Sequence, residues 1–250
     1  MSMSSSPTPD YAGRVSVIVP VKNEADNILP LVEEVHAALD GHADFELIYV
    51  DDGSTDATPQ RLAQAQQRFA RLRVIRHRRA CGQSTALATA VRAARHPWIA
   101  TLDGDCQNDP ADIRSLLAAV STGQRAPGLE LVAGWRNQRH DSALRKLSSR
   151  IANGVRGGLL GDRTPDTGCG LKVFSRDTFL RLPFFDHLHR FLPALFLREG
   201  AQVISVPVRH RPRTQGKSKY GVHNRLWVGI VDLFGVIWLQ RRMTHPQVEP

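Results

Sequence analysis

The 250-residue chain carries only three cysteines, Cys81, Cys106 and Cys169, odd in number and far apart. This excludes a disulfide framework and a C-x-x-C metal site, and it suits a reducing compartment. Aromatic residues make up 6% of the sequence, thinly spread and outside any recognised nucleic-acid motif, which argues against a base-stacking module. No apolar run reaches the roughly 20 residues needed to cross a bilayer; the last one, residues 226–239, is too short and contains Asp232. The N-terminal stretch lacks the basic and apolar regions of a signal peptide and reads as a loose Ser/Pro-rich tail, so the body is expected to stay in the cytoplasm. No internal repeat is present.

Positive charge is abundant instead. A formal net charge of +9 and a pI near 10.2 call for an anionic partner, and composition alone does not choose among nucleic acid, nucleotide and anionic lipid. Acidic residues concentrate in the first half (Glu24, Glu33, Glu34, Asp51, Asp52, Asp103, Asp105, Asp109), whereas Arg and Lys dominate residues 136–242. One half suits a metal and the other an anionic acceptor.

The β-branched run over residues 14–20 predicts a strand, and helical apolar spacing over 25–39 predicts a helix. The unit recurs as strand 45–50 with helix 58–69, strand 72–75 with helix 84–95, and strand 98–102 with helix 110–120, the last opened by Pro110. Such alternation predicts an α/β fold, a Rossmann-like, mostly parallel sheet flanked by helices with ligands at the carboxyl ends of the strands. A further strand is expected at 129–133. Leu144, Leu147, Ile151, Val155 and Leu159 share one helical face over 141–160, which fits a membrane-surface helix and an ordinary packed helix equally. Trp227 and Trp238 near the ends of 226–239, followed by Arg241 and Arg242, fit an interfacial helix, and a core or dimer-interface helix fits the same pattern.

Two acidic motifs end predicted buried strands. In LDGDCQ, Asp103 and Asp105 would point to opposite faces of an extended chain, so a turn at Gly104 is expected to bring them together. Converged carboxylate oxygens suit Mg²⁺ or Mn²⁺ bridging a diphosphate. In YVDDGSTD, Asp51 and Asp52 can accept hydrogen bonds from a base or ribose, while turn and capping chemistry alone accounts for Gly53, Ser54 and Asp56.

Together with VPVKNE (residues 19–24), these motifs closely resemble the family 2 glycosyltransferases, and among them the subgroup of dolichol-phosphate mannosyltransferase and the bacterial polyprenyl-phosphate glycosyltransferases. The blocks that carry it are VPVKNE, DDGSTD, LDGDCQNDP, and the pair DTGCGLKVF (166–174) with RTQGKSKYG (213–221). The resemblance implies the GT-A (nucleotide-diphospho-sugar transferase) fold and dependence on Mg²⁺ or Mn²⁺. It implies Pro20, Lys22 and Glu24 beside the nucleotide base, with Lys22 where such enzymes often carry an aromatic residue, and Asp51 and Asp52 near base and ribose. Asp103, Asp105 and Gln107 would hold the metal, Asp103 also serving the nucleotide. Arg136, Arg139, Arg213, Lys217, Ser218 and Lys219 would hold an acceptor phosphate, and Asp105, Asp166, Arg213 and Lys219 would be the catalytic set. Asp166 would orient the acceptor or touch the sugar, although a plain cap also accounts for it. A single inverting displacement is implied by the family.

The expected organisation is a disordered tail (1–12), a GT-A domain (13–221, donor half 13–135 and acceptor half 136–221), and a C-terminal interfacial helix and tail (222–250). The expected reaction passes one sugar from a nucleotide-sugar, GDP-mannose first and a UDP-sugar as alternative, to polyprenyl or dolichyl phosphate. The protein would sit peripherally on the inner face of the membrane, with a homodimer left open. The Gln-x-x-Arg-Trp signature of processive synthases is missing; His189-Arg190-Phe191 and Gln240-Arg241-Arg242 are the nearest sequences. The rivals are a soluble family 2 enzyme using a UDP-sugar and a non-lipid acceptor, a nucleic-acid-binding module, and an inactive sugar-nucleotide binder.

Overall fold

The computed structural model describes residues 13–121, 128–136, 154, 157–212 and 222–244, with only the backbone of 222–228. The β-branched segment Arg14–Val21 forms β1, flanked by parallel β2 (Asp44–Asp51) and β4 (Trp98–Thr101). β3 (Leu72–Arg76) extends the sheet beyond β2, and β6 (Lys172–Ser175), β5 (Leu129–Arg136) and β7 (Gln202–Val208) extend it beyond β4. The seven-stranded order is β3-β2-β1-β4-β6-β5-β7, with β6 antiparallel to both its neighbours and every other pairing parallel. The expected mostly parallel sheet flanked by helices is thus observed.

Alternation along the strands sorts the core into two layers. Val15, Val17, Val19 and Val21 of β1 pack with α1 (Ile28–Leu39) and α4 (Asp112–Ser121), whereas Ile18 packs with α3 (Gln83–Ala93). Leu62 of α2 (Thr58–Arg68) joins the first layer, and Phe179 of α5 (Arg176–Arg181) and Leu192, Leu195 and Phe196 of α6 (Leu192–Arg198) join the second. The predicted helix over 25–39 resolves into a 3₁₀ turn, Ala25–Asn27, followed by α1. Pro110 does not open α4: Asp109 Oδ1 accepts the Ala111 N–H at 3.0 Å, making a turn that delays the helix to Asp112. Of the predicted segment 141–160, all but residues 154 and 157–160 lie outside the described residues, as does the tail 1–12.

The C-terminal helix α7 (Val222–Arg242) is longer than the predicted run. One side docks on the second layer through Leu233, buried Val236 and Ile237, and Gln240 Nε2 donates to Leu160 O at 3.0 Å. Asp232, the charge that interrupts the apolar run, accepts from or pairs with His187 Nδ1 at 3.0 Å. Val231, Phe234 and Trp238 remain exposed at 68%, 66% and 59%, a stripe at helical spacing on the opposite side. Among the described residues no helix is long and apolar enough to cross a membrane.

At the amino ends of the strands, far from the acidic motifs, Glu46 ties three elements together. Its carboxylate accepts from Ser16 Oγ at 2.7 Å, from the Arg95 backbone N–H at 2.6 Å and from Arg73 Nη1. Burial pushes this carboxyl up, but the hydrogen bonds from Ser16, Arg95 and Arg73 outweigh it and hold it below its ordinary value of 4.5. A carboxyl lowered in the folded state contributes stability above pH 4.5 that disappears as pH falls through its lowered value. Glu46→Gln should therefore lose about 1.5–3 kcal/mol at neutral pH and show a flatter acid limb in thermal melts; an unchanged acid limb would contradict this role.

Candidate active site

Topology brings the acidic motifs to one edge. The parallel strands all end there, and antiparallel β6 begins there, with Lys172 paired to Thr101 of β4. From β1 the chain passes to β2 on one side and from β4 to β5 on the other, which opens a crevice at the carboxyl ends of β1 and β4. A cavity of about 390 Å³ occupies this position. Pro20, Gln83, Asp103, Lys172, His189 and Arg190 line it, together with the loop of residues 167–170.

Asp103 is the acidic centre of the cavity. Burial raises its pKa first and the charge of Asp105 raises it further, while Lys172, Arg136 and a hydrogen bond from Gln83 Nε2 at 3.2 Å only partly offset this. A half-buried carboxylate with a like charge beside it is relieved by a bound divalent cation, and hard oxygen donors are the right chemistry for Mg²⁺ or Mn²⁺. The expected turn is present, over Gly104 and Asp105. Gly104 does not supply the left-handed residue; Cys106 does, at φ 58°. Gly104 is required by space, since a Cβ there would meet Val21 Cγ1 at 2.5 Å.

Asp105 does not line the cavity, and its Oδ1 accepts from Gln107 N at 3.2 Å. Gln107 Nε2 donates to Arg211 O at 3.4 Å, so of its amide only Oε1 can serve as a ligand. Arg211 in turn pairs with Asp109 at 2.9 Å and Glu34 at 2.7 Å, and Arg209 pairs with Asp112 at 3.0 Å. Several acidic residues of the first half thus fasten the end of β7 to α1 and α4.

Asp51 and Asp52 are engaged inside the protein. Asp51 Oδ1 accepts from Ser54 N at 2.9 Å; its Oδ2 lies 3.2 Å from Arg76 Nε without hydrogen-bond geometry. Asp52 accepts from Cys81 N, Gly82 N and His77 Nδ1, each at 2.8 Å. Burial raises the Asp52 pKa, but the hydrogen bond from His77 and those from the two backbone N–H groups bring it below its usual range. Any contact of Asp52 with a base or ribose would share these groups. Gly53 has φ +66°, and a Cβ there would meet Ala80 N at 2.6 Å, so the two loops close on each other only with glycine. Lys22 and Glu24 lie just beyond β1: Glu24 N donates to Thr58 Oγ1 at 2.9 Å, and Glu24 Oε2 accepts from Asn27 at 2.8 Å.

Asp166 and Arg136 form a bidentate pair, Nε–Oδ2 at 2.6 Å and Nη2–Oδ1 at 2.8 Å. The pair is largely buried, with side-chain exposure of 16% and 5%, and the hydrogen bond with Asp166 raises the Arg136 pKa. Asp166 fixes the orientation of the guanidinium. Arg136→Lys keeps the charge but loses the fork geometry; unfolding free energy should fall by about 3 kcal/mol, and a fall below about 1 kcal/mol would show the pair to be solvated. Arg139, Arg213, Lys217, Ser218 and Lys219 lie outside the described residues.

Lys172, Gln83, His189 and Arg190 were not singled out as site residues from sequence. Lys172 had a readable signal, a lysine between apolar neighbours in a buried strand. Its Nζ donates to Cys169 O and to Thr167 O, the latter at 3.4 Å, and burial lowers its pKa. His189 Nδ1 bonds Ser84 Oγ at 2.8 Å; burial first, then the nearby charges of Arg190 and Lys172, push its pKa down to about 3, so it is neutral.

The model of glycosyl transferase family 2 matches residues 16–181. The chain is 37% identical over 240 residues to dodecaprenyl-phosphate galacturonate synthase of Rhizobium johnstonii, covering 93% of this chain and 69% of that one. It is 32% identical over 210 residues to undecaprenyl-phosphate 4-deoxy-4-formamido-L-arabinose transferase of Edwardsiella ictaluri, covering 83% of this chain and 63% of that one. It therefore spans under two thirds of the second relative's length. Among solved structures, glucosyl-3-phosphoglycerate synthase from Mycobacterium tuberculosis with Mn²⁺, UDP and glucosyl-3-phosphoglycerate superposes with a TM-score of 0.65 at 21% identity, covering 94% and 84% of the two chains. Mannosyl-3-phosphoglycerate synthase from Rubrobacter xylanophilus gives 0.66 at 18% identity, covering 95% and 77%. These two likenesses concern the fold, which is that of GT-A glycosyltransferases. With the family model matching well over half its length, the chain belongs to glycosyl transferase family 2.

Proposed function

We propose that the protein transfers a single sugar from a nucleoside-diphospho-sugar to a polyprenyl phosphate. The observation that carries this reading is the half-buried, charge-strained Asp103 in one cavity with Lys172, beside the locked Arg136–Asp166 pair. The relatives support the acceptor, both being named for transfer to a polyprenyl phosphate.

Asp103 and Asp105, with Gln107 Oε1, would hold Mg²⁺ or Mn²⁺; a cation there stabilises the negative charge that grows on the departing diphosphate. Pro20, Lys22 and Glu24 border the nucleotide, with Asp51 and Asp52 shaping its loops. The acceptor phosphate is already an anion near neutral pH, so it needs positioning by cations more than a general base. Arg136, oriented by Asp166, supplies one cation, and Arg139, Arg213, Lys217 and Lys219, with the Ser218 hydroxyl, supply the rest. GDP-mannose follows from the subgroup resemblance, and the relatives' sugars put galacturonate and a formamido-arabinose beside it.

The exposed stripe of α7, followed by Arg241 and Arg242, lies in the interfacial zone of the membrane's inner face and keeps the enzyme beside its lipid. Changing Phe234 and Trp238 together to Glu should weaken sedimentation with anionic vesicles about tenfold or more; unchanged sedimentation would assign the stripe to a dimer interface.

The deciding experiment incubates the full chain and Mn²⁺ with polyprenyl phosphate and a panel of GDP- and UDP-sugars, and identifies the product by mass spectrometry. A glycosyl-phosphoryl-polyprenol is the expected product. Turnover only with water-soluble acceptors would favour the soluble family 2 alternative.

A further inference from the structure

The 3₁₀ turn Leu188–Arg190 reaches the cavity wall from far along the chain and is braced on both sides. Leu188 is buried in the second layer, and the His187 ring meets Asp232 of α7 at 3.0 Å. His187 itself stands at φ 65°, in the left-handed region, a strain that persists only where the surroundings impose it. Opposite, at the start of α3, Ser84 is fully buried and its Oγ lies 2.8 Å from His189 Nδ1. The result is a half-buried imidazole fixed on the cavity wall.

The hydrogen-bond pattern assigns the tautomer of His189. A serine hydroxyl has one hydrogen, and Ser84 Oγ already accepts from the His189 backbone N–H at 3.5 Å. Among the described residues the Ser84 hydrogen has no acceptor other than His189 Nδ1, and a buried hydroxyl without an acceptor is costly. Ser84 therefore donates to Nδ1, which places the ring hydrogen on Nε2. His189 is neutral near pH 7, so its two nitrogens keep these separate roles. Nε2 has no partner among the described residues and stays accessible. A residue needed only to tie the turn to α3 would use one polar edge, as Nδ1 does; the other edge is a donor of fixed position and no charge. The formal charges around it are committed elsewhere: Lys172 lies in the field of Asp103 and Asp166, and Arg190 is engaged within the protein. In the proposed reading the cation on Asp103 and Asp105 neutralises the diphosphate. A neutral N–H donor suits a neutral acceptor, and the hydroxyl oxygens of the sugar are such acceptors.

We propose that His189 Nε2–H donates to a hydroxyl oxygen of the transferred sugar, and that Ser84 acts through it as a positioning residue by holding the tautomer. The inference rests on the reading that the cavity receives the sugar of a nucleotide-sugar. Such a contact fixes the rotation of the sugar about its bond to the diphosphate, which sets the line of attack at the anomeric carbon.

The test follows the imidazole itself. Nitrogen-15 NMR of the full chain in Mg²⁺ reads the tautomer of His189, its signals assigned by their loss in His189→Gln. The expected signature is a protonated Nε2 and a bare Nδ1, and Ser84→Ala should let the Nδ1–H form appear. UDP-glucose, UDP-galactose, UDP-galacturonate and GDP-mannose are then each compared with the matching nucleotide, and at least one should move the Nε2–H signal beyond the shift that its nucleotide gives. In turnover of that donor with polyprenyl phosphate, His189→Phe should lower kcat/KM about tenfold or more, with the inhibition constant of the nucleotide within about twofold of wild type. His189→Gln, whose side-chain amide donates from near the place of Nε2, should recover most of that loss. A hydrogen on Nδ1 in the wild type overturns the proposal, as does the absence of a sugar-dependent shift with all four donors. Equal weakening of nucleotide and donor in His189→Phe also overturns it, moving the contact to the diphosphate or ribose, and a rise confined to the KM for polyprenyl phosphate assigns it to the acceptor. Should His189→Phe fail to fold in a melting control, the spectra of the wild type still decide. If neither UDP nor GDP binds at all, it is the underlying reading that falls.

Discussion

Asp105→Asn is expected to lower turnover by about a thousandfold, roughly 4 kcal/mol of transition-state stabilisation, while Tm moves by no more than about 2 °C. The change keeps the shape of the side chain and removes the charge. Asp105 sits half-buried on the turn after β4, outside the apolar layers, and its Oδ1 accepts from the backbone N–H of Gln107, a bond an amide oxygen can keep. What is lost is the second negative charge beside Asp103, the charge that raises the Asp103 pKa and favours a divalent cation between them. Chelation of the wild type should reproduce the loss, and added Mn²⁺ should reverse it. Full turnover in excess chelator would remove the metal from the mechanism.

Gly170→Ala should be nearly as damaging, through packing instead of charge. A Cβ at Gly170 would run into the carboxylate of Asp103, with Oδ1 at 2.8 Å and its other atoms closer still. The backbone cannot retreat easily, because Thr101 Oγ1 donates to Gly170 O at 2.7 Å and β6 pairs with β4 directly afterwards. Either the carboxylate swings out of the cavity or the loop shifts. Overpacking of this kind costs about 1–3 kcal/mol, or about 2–4 °C of Tm per kcal/mol at this chain length. Turnover should fall to the level of Asp103→Asn. Gly168→Ala is the matched control, since its Cβ meets only Arg136 Nη2 at 3.4 Å and Asp166 Oδ1 at 3.7 Å. Wild-type turnover in Gly170→Ala would show that the position of Asp103 is not critical.

Much of the first half of the chain was legible because its signals are local. A β-branched run followed by helical spacing specifies strand and helix through backbone and side-chain preferences that need no distant partner. The acidic pairs could be located because each directly follows such a strand. The helix boundary that shifted at Pro110 depends on a side-chain acceptor, Asp109, that competes for the first N–H groups. The terminal helix was read as either interfacial or packed; one face docks through Val236, as the packed reading expects, and the other exposes Phe234 and Trp238. Periodicity shows that an apolar stripe exists but not which part of it finds a neighbour.

The sequence by itself determined the α/β class, the strand-end positions of the acidic motifs, the family resemblance, and the split of acidic and basic residues between the halves. Only the tertiary structure decided which of those charges belong to the cavity. Asp109, Asp112 and Glu34 are spent on Arg209 and Arg211, and Asp52 on the loop of residues 77–82, while Lys172 and Arg190, which no motif had singled out, line the cavity with Asp103. The reason is the reversal of a single strand. Antiparallel β6 delivers its first residue to the edge where the parallel strands end, which sets Lys172 and residues 166–170 against Asp103 from far along the chain. Sequence spacing carries no record of strand direction, whereas the charge of a site depends on it.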